Sequence, residues 1–454
     1  MNLPNSVGIC FGQFGPYHHA RVLSFQKTAK ECGITVIPIQ IASRTFTYDW
    51  EVDDGSPRCE GLKTLCQGTD DTASPLQVYL RARRLLSNEK VRLLFVPSYW
   101  PPRVLALFLA ARSLGISTVM MCDSHSGTEQ ARGWKKYFKG VIIRGFDAAL
   151  VGGKPHERYF ESFGMPREYI FTGYDAVDNE YYSRRSADVR DCTAPSRSRP
   201  FDLPSRYFLS LGRMVQKKNL PILIEGYEGY VRRCHSADIR PAALVLVGSG
   251  EEEPRLRALA RTSGLRVVDF TQKSIGSAET SHISGTDNSE CGGLVYFYGF
   301  RQIAENVVFY ALAEAFVLPS TSEEWGLVVN EAMACSLPVV VSRNAGCVED
   351  LVLPRTDGST PRLLSAVRDE PFGRNLLDER SNGFVFEPTC AEALAEALWS
   401  ITRADQKDIS ELGKRSREIV DQYSCENFGR QALLAAIAAL RLPAGKPSQT
   451  HQRL

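Results

Sequence analysis

Two glutamates eight positions apart lie in the stretch whose residue types and spacing are best suited to chemistry. Glu323 and Glu331 flank Gly326 in the run Glu-Glu-Trp-Gly-Leu-Val-Val-Asn-Glu. The preceding run, 315–320, has the apolar pattern of a buried parallel strand, and the residues from Glu331 onward favour a helix.

A strand, a tight loop and a helix start together form an anion site. The N–H groups of the first helical turn and the helix dipole converge at such a point and favour a phosphate. Carboxylates beside it are suited to holding hydroxyl groups. The stretch therefore predicts a site for a diphosphate flanked by sugar hydroxyls, which describes a nucleotide-sugar.

Several runs in the second half of the chain resemble the retaining glycosyltransferases of family 4, also called glycosyl transferases group 1. They follow the family's order over roughly residues 205–440 and are Leu211–Asn219, Leu246–Gly250, Val295–Arg301, Phe316–Ser320, Glu323–Ala334, Pro338–Ser342 and Asn382–Phe386. The resemblance implies the α/β GT-B fold, in which two Rossmann-like domains face a central cleft and a C-terminal helix crosses back to the N-terminal domain. One departure is Ser336, where the family usually has the glycine that suits a left-handed backbone.

The resemblance also implies roles for the residues around the two glutamates. Glu331 would bind the ribose hydroxyls of the donor, and Glu323 would contact the donor sugar and support charge as the glycosidic bond opens. Gly326 would let the backbone approach the phosphates, with the amides of Leu327 and Val328 as donors to the diphosphate. Gly212 and Gly248, at two other predicted strand ends, are assigned to the same donor site.

Two cations follow a predicted strand end within six residues. Arg213 and Lys218 would neutralise the departing nucleoside diphosphate, whose charge grows in the transition state. An ordinary solvated basic loop is the structural alternative. Lys217 is the nearest competitor for the lysine role, and the family's spacing selects Lys218.

The N-terminal half offers weaker candidates. Gly12 and Gly15 lie where the first predicted strand turns into its helix, and His18 and His19 follow. This loop faces ligands in related architectures, but a histidine on the helix surface is an equal alternative for His18.

A second histidine follows the predicted strand that begins at Ser117. The resemblance implies that a histidine in this region faces the reacting sugar, and His125 is the candidate. Asp123 is its rival, because the alignment can slide by two residues.

The remaining pattern alternates strands with helices, as expected of parallel α/β sheets. Residues 49–75 are predicted to be a polar loop, 183–200 a basic linker, and 274–293 and 354–375 insertions without regular structure. The predicted boundaries are an N-terminal acceptor-side domain (1–195), a linker (196–205), a C-terminal donor domain (206–422), a helix packing back on the N-terminal domain (423–442) and a disordered tail (443–454).

Composition narrows the class of protein. A net charge of +2 argues against nucleic acid as the main partner, and no apolar run reaches the roughly 20 residues of a membrane-spanning helix. The start of the chain has no secretory pattern, and twelve scattered cysteines indicate reduced thiols, with disulfides or a metal as alternatives. We therefore expect a cytoplasmic protein. Basic segments such as Arg81–Arg84 raise the option of peripheral membrane contact.

These observations predict a retaining, metal-independent glycosyltransferase that uses a same-face mechanism. The donor is a nucleotide-sugar, a co-substrate rather than a cofactor, and the acceptor is a glycan, a lipid-linked sugar or a small molecule. No metal site is expected, because Asp53–Asp54 and Asp70–Asp71 look like solvated loop acids. The alternatives are a nucleotide-sugar epimerase, a glycan phosphorylase of similar fold or a non-catalytic sugar-binding homologue.

Overall fold

The computed structural model describes residues 6–44, 58–129, 131–192, 200–271, 292–353 and 381–441. The chain divides into two compact units, which are Met1–Asp178 with Gln422–Leu454, and Asn179–Asp421. Each unit is built on one seven-stranded sheet in which every strand pairing is parallel. The alternation of strands and helices predicted from the sequence is confirmed.

The N-terminal unit has strand order β3-β2-β1-β4-β5-β6-β7. Its strands are β1 (Ser6–Phe11), β2 (Thr35–Arg44), β3 (Lys63–Thr69), β4 (Leu93–Pro97), β5 (Ser117–Cys122), β6 (Ala148–Val151) and β7 (Ile170–Thr172). Its helices are α1 (Pro16–Glu31), α2 (Pro75–Asn88), α3 (Pro102–Ser113), α4 (Trp134–Arg144), α5 (Lys154–Glu161) and α14 (Cys425–Arg441).

Two apolar layers cover the two sides of this sheet. Helices α2 to α5 contribute buried side chains to one layer, and α1 and α14 contribute to the other. Small residues bring α14 close to α1, since a Cβ on Gly429 would lie 2.9 Å from the carbonyl oxygen of Ser24. The prediction that a C-terminal helix packs on the N-terminal domain is confirmed.

The C-terminal unit has strand order β10-β11-β9-β8-β12-β13-β14. Its strands are β8 (Tyr207–Leu211), β9 (Ala243–Val247), β10 (Arg266–Asp269), β11 (Leu294–Phe297), β12 (Ala315–Leu318), β13 (Val339–Ser342) and β14 (Gly383–Phe386). Its helices are α6 (Asn179–Cys192), α7 (Leu220–Ser236), α8 (Glu253–Thr262), α9 (Ile303–Leu312), α10 (Leu327–Ala334), α11 (Val348–Leu351), α12 (Ala391–Arg403) and α13 (Gln406–Val420).

Two loop predictions were wrong in part. Lys63–Thr69, inside the predicted polar loop, forms the edge strand β3, whose mostly exposed residues lack an apolar pattern. Residues 183–192 of the predicted basic linker belong to α6, which packs on α9 and α10. Its Arg190 donates to the carbonyl oxygens of Ala311 and Cys335 at 2.9 and 2.6 Å.

Other predictions fall outside the described residues. These are Asp53–Asp54, nearly all of the insertion 274–293, the insertion 354–375 and the tail 443–454. The predicted domain boundaries stay a prediction, and the division into units falls after Asp178 and after Asp421.

Two chemical features of the described chain complete this picture. The cysteines in the described ranges are free thiols, most of them buried. In the same ranges, no helix combines the length and the apolar character needed to cross a bilayer.

Candidate functional site

The carboxyl end of β8 turns through a glycine into a loop that carries both predicted cations. The amide of Gly212 donates to the carbonyl oxygen of Val247 at 2.9 Å, and the amide of Gly248 donates to that of Gly299 at 2.7 Å. Both predicted donor-site glycines therefore use their N–H groups to join neighbouring strand ends. Their amides are therefore already used within the protein. The absence of a side chain matters at Gly248, because a Cβ there would lie 2.0 Å from the carbonyl oxygen of Gly212.

Lys218 and Glu323 come together in this unit as an ion pair. Their side chains are 13% and 10% exposed, so the pair is largely shielded from solvent. The same carboxylate oxygen of Glu323 accepts a hydrogen bond from the hydroxyl of Ser320 at 3.1 Å. Because water screens such a pair only weakly, the charges hold each other and the loop in place.

The neighbouring lysine has a different partner. Lys217 binds Glu324 at 2.8 Å, and these side chains are 35% and 38% exposed. Burial alone would lower the pKa of Lys217, but the hydrogen bond and charge of Glu324 raise it overall. Burial alone would raise the pKa of Glu324, but the hydrogen bond and charge of Lys217 lower it overall. The two competing lysines thus have different partners, and the more buried one, Lys218, pairs with Glu323.

Arg213 lies nearby and is exposed. A small pocket at the end of β8 is lined by both predicted cations together with Gly212, Leu318 and Pro319. Arg213 and Lys218 therefore border one pocket at the carboxyl edge of the sheet, where open α/β sheets bind ligands.

Gly326 begins α10 with a left-handed backbone (φ 105°). A side chain there would be strained, and its Cβ would lie 3.0 Å from Leu318. Leu327 and Val328 occupy the first two positions of α10, whose N–H groups have no acceptor within a helix. The structure thus places the two predicted amide donors at a helix start that a glycine makes possible.

Glu331 lies one turn further along α10 and is fully buried. One of its carboxylate oxygens accepts a hydrogen bond from the hydroxyl of Tyr310 at 2.8 Å. Tyr310 is a partner that the sequence analysis missed. A hydroxyl of a bound ribose would have to join an acceptor that the protein already uses.

Backbone contacts fix the loop that carries Glu323. The amide of Gly346 donates to the carbonyl oxygen of Glu323 at 3.1 Å, and that of Cys347 to Trp325 at 3.3 Å. The Trp325 indole is buried and donates to Asn330 at 2.8 Å. The loop that carries Glu323 is thus held by hydrogen bonds to the rest of the unit.

The departure at Ser336 has a structural counterpart. Ser336 follows the end of α10 with a φ of 57°, in the left-handed region that favours glycine. The helix end therefore keeps the backbone conformation typical of a glycine and accepts the strain of a serine side chain.

In the N-terminal unit, His18 closes the loop between β1 and α1. The amide of Gly15 donates to its Nδ1 at 2.9 Å, and its ring packs 4.3 Å from that of Phe11. Burial, with the charges of Arg21 and His19, lowers the pKa of His18 to about 3. His18 is therefore a neutral cap of the first helix rather than a solvated surface histidine. Gly12, in the same loop, lies against the side chain of Asp70. A Cβ at this position would be 3.0 Å from a carboxylate oxygen of Asp70.

Two more histidines use the same device at the ends of β5 and β6. Nδ1 of His125 accepts from the amide of Gly127 at 3.1 Å, and Nδ1 of His156 accepts from that of Gly153 at 3.1 Å. The two rings lie 5.2 Å apart, edge to face. His156 was missed, although Gly153-Lys-Pro-His156 repeats the spacing of Gly15-Pro-Tyr-His18.

His125 is 6% exposed, and its rival Asp123 is partly buried. Because Nδ1 accepts a hydrogen bond, the neutral ring of His125 carries its proton on Nε2, as a donor. Which of the two residues faces a sugar stays a prediction.

The expectation that Asp70 is solvated was wrong. Both of its oxygens accept from Arg103, at 2.7 and 2.8 Å, and its side chain is 17% exposed. In the described ranges, no group of three or more His, Cys, Asp or Glu side chains could hold a metal ion. A metal-independent reaction stays a prediction.

A family model described as glycosyl transferases group 1 matches residues 276–359, which include Glu323, Gly326 and Glu331. The chain resembles this family over these residues. Sulfoquinovosyl transferase SQD2 of Arabidopsis thaliana is 32% identical over 127 residues, which are 28% of this chain and 20% of that protein. The sequence match thus spans only about a fifth of this relative.

Solved structures match over nearly the whole of this chain. Sucrose-phosphate synthase of Thermosynechococcus elongatus has a TM-score of 0.64 at 16% identity, covering 96% of this chain and 99% of that one. HepE of Anabaena, solved in complex with UDP, has a TM-score of 0.60 at 14% identity, covering 94% and 98%. These likenesses, with the two parallel sheets and α14, confirm the predicted GT-B class of fold.

Proposed function

We propose that this protein is a retaining glycosyltransferase that moves a sugar from a nucleotide-sugar donor to a glycan, lipid-linked or small-molecule acceptor. The donor is assigned to the C-terminal unit and the acceptor to the N-terminal unit. The reaction uses no metal. The match to the family model over residues 276–359 supports the reaction class, and HepE, a structure of similar fold, was solved with UDP.

The shielded pair of Lys218 and Glu323 beside the start of α10 is the observation that carries this proposal. An unpaired carboxylate at this point would repel a diphosphate. Paired with Lys218, its charge is balanced, and the exposed Arg213 and the helix dipole then favour the anion. An arriving diphosphate would share Lys218, and Glu323 would then have oxygen capacity for sugar hydroxyls.

In the proposed step, the bond between the anomeric carbon and the diphosphate oxygen breaks. The acceptor oxygen forms the new bond on the same face of the sugar, so configuration is retained. The acceptor's proton passes to the leaving diphosphate oxygen. Arg213, Lys218 and the amides of Leu327 and Val328 stabilise the charge that grows on this oxygen.

Other residues would position the two substrates. Glu331, oriented by Tyr310, is proposed to hold the ribose hydroxyls. His125 or Asp123 is proposed to contact the reacting sugar, and the Nε2 proton of a neutral His125 suits a sugar oxygen.

The first test is a thermal-shift panel of UDP, GDP, ADP and dTDP, each compared with its nucleotide-sugars. We expect one nucleoside diphosphate family to raise the melting temperature in proportion to its concentration. Absence of any shift at millimolar concentrations would overturn the donor site.

The second test follows product formation from the binding donor, with candidate acceptors and with EDTA. We expect a new glycosidic bond with the donor's anomeric configuration, read by the proton coupling of the anomeric centre in NMR. Turnover that requires a divalent ion contradicts the metal-independent reaction. Interconversion of nucleotide-sugars without an acceptor would instead identify an epimerase.

A further inference from the structure

Helix α4 of the N-terminal unit is apolar on two faces. Ile143 and Gly140 lie buried on the face toward the sheet. The opposite face presents side chains at spacings of three and four residues, and we call it the α4 patch: Trp134 (69% exposed), Tyr137 (67%), Phe138 (57%) and Val141 (45%). The first face is apolar because it packs against the core of its own unit. The α4 patch is exposed in the part of the chain that the structure describes, so the core does not explain its apolar character.

Three of the four helices on this side of the sheet carry charge of one sign, whereas the fourth, α5, also contains Glu157 and Glu161. Helices α2, α3 and α4 contain nine lysines and arginines and no aspartate or glutamate: Arg81, Arg83, Arg84, Arg103, Arg112, Lys135, Lys136, Lys139 and Arg144. Arg103, Arg112 and Lys139 pair with acids from neighbouring segments. The six others are exposed, and Lys135 and Lys136 adjoin the α4 patch.

The other side of the same sheet differs. Helices α1 and α14 contain acids as well as bases, and their apolar residues fill the core between them and the sheet. Exposed lysines together with exposed aromatic side chains are therefore a property of α4 that α1 and α14 do not share.

Aromatic side chains and lysines in this arrangement match the border between lipid headgroups and acyl chains. Tryptophan and tyrosine combine an apolar ring with a polar group and prefer that border, and lysines beside them attract anionic lipids. The ammonium of Lys135 lies 5.8 Å from the centre of the Trp134 ring, so charge and ring would meet the same surface. We propose that the α4 patch docks on an anionic membrane surface.

The test is co-sedimentation of the full chain with vesicles of phosphatidylcholine alone or with 30% phosphatidylglycerol, roughly the anionic content that gives a negative surface potential. We expect binding to the anionic vesicles at low salt, weaker binding at about 0.3 M salt, and little binding to phosphatidylcholine alone. The assay contains no nucleotide-sugar, so its result is independent of the proposed reaction. Absence of binding to anionic vesicles at low salt would overturn the proposal.

Two double variants separate the contributions. Trp134→Ser with Phe138→Ser removes apolar contact, and Lys135→Glu with Lys136→Glu reverses charge. Each should reduce the partition coefficient by roughly tenfold or more. All four side chains are exposed, so circular dichroism and the melting temperature should match those of the unchanged protein.

The matched control is Lys27→Glu with Lys30→Glu on α1, which makes the same charge change on the other side of the sheet. It should retain most of the binding. An equal loss in this control would overturn the α4 patch in favour of net charge alone. Conversion of a dimer to a monomer by the Trp134 and Phe138 changes, without vesicle binding, would identify an interface between copies instead.

Discussion

At the carboxyl ends of its strands, the C-terminal unit carries two lysine–glutamate pairs. The N-terminal unit also has ion pairs, such as Arg103 with Asp70 after β3, and differs in carrying three imidazole rings that accept from glycine amides. Lys218 with Glu323 and Lys217 with Glu324 represent the first arrangement. His18, His125 and His156 represent the second, each with Nδ1 accepting from a backbone N–H.

The difference indicates how one sheet architecture is adapted to two kinds of ligand. Paired charges can exchange partners with an incoming anion, and the two charges of each pair balance when no ligand is bound. A neutral ring fixed through one nitrogen presents the other as a hydrogen-bonding group without adding charge, which suits an uncharged sugar. The proposed donor and acceptor sides follow this division.

The largest effect is expected from breaking the shielded ion pair. Lys218→Ala and Glu323→Ala should each lower kcat/KM by roughly 10²–10³, because each removes charge stabilisation at the leaving group or the sugar. The matched variants Lys217→Ala and Glu324→Ala change the exposed neighbouring pair and should stay within about threefold. Initial rates with saturating acceptor measure both sets. Equal losses in the two sets would erase the distinction between the pairs.

Stability measurements extend this test. Each single variant of the shielded pair leaves a mostly buried charge without its partner, which costs about 3 kcal/mol. The double variant Lys218→Met with Glu323→Leu should recover much of the free energy of unfolding in urea but none of the activity. Recovery of activity would show that the pair serves the fold alone.

The second effect concerns the glycines at the end of β8 and β9. Gly212 and Gly248 both have positive φ, but only at Gly248 would a Cβ collide with backbone, 2.0 Å from the carbonyl oxygen of Gly212. Gly248→Ala should therefore destabilise the protein by about 2 kcal/mol more than Gly212→Ala. Urea unfolding of both variants checks this. Similar losses of stability in the two variants would show that positive φ, rather than the close backbone contact at Gly248, is the reason for glycine.

The third effect is a pH dependence of stability, and it tests whether His18 is neutral in the folded protein. The pKa of His18 is about 3 in the folded protein, below its ordinary value of 6.5. As the pH falls, His18 therefore becomes protonated in the unfolded chain before it does in the folded protein. Its contribution to stability is complete above pH 6.5 and declines as the pH falls toward 3. In His18→Asn, the amide oxygen can replace Nδ1 as acceptor for Gly15, and this part of the pH dependence should disappear.

Unfolding free energies between pH 7.5 and 5 in both proteins provide the measurement, roughly spanning the ordinary pKa of histidine. The other histidines are common to both, so the difference between the two curves isolates His18. Parallel curves would contradict the lowered pKa of His18.

The smallest effect is expected at the end of α10. Ser336→Gly removes the side chain from a left-handed backbone and should stabilise the protein by about 0.5–1 kcal/mol, part of the gain being offset by the freer unfolded chain. Ser336→Ala keeps the strain and serves as the control. A less stable glycine variant would show that the serine side chain makes a contact worth more than the strain.

Sequence alone predicted the elements whose residues are buried on both sides. Apolar runs such as those of β1, β9 and β12 leave little alternative to a central parallel strand. The edge strands β3 and β10 were missed because half-exposed residues such as Arg266 and Asp269 carry no such pattern. The three-residue strand β7 is too short for any periodicity.

The site was predicted as separate residues rather than as contacts. Lys218 and Glu323 were each selected, but 105 positions separate them and nothing local specifies that they pair. Tyr310 lies on a different helix from the acid to which it donates, so only packing shows the contact. The histidine caps did leave a local trace, the repeated spacing of glycine and histidine at two helix starts.

The position of α14 in the chain has a consequence for biosynthesis. Phe428, Ala432 and Ala435 complete an apolar layer of the first unit, yet the ribosome makes them only after the whole second unit. A nascent chain would expose one side of the first sheet throughout that interval. We expect this stage of translation to be the one at which chaperones engage the polypeptide.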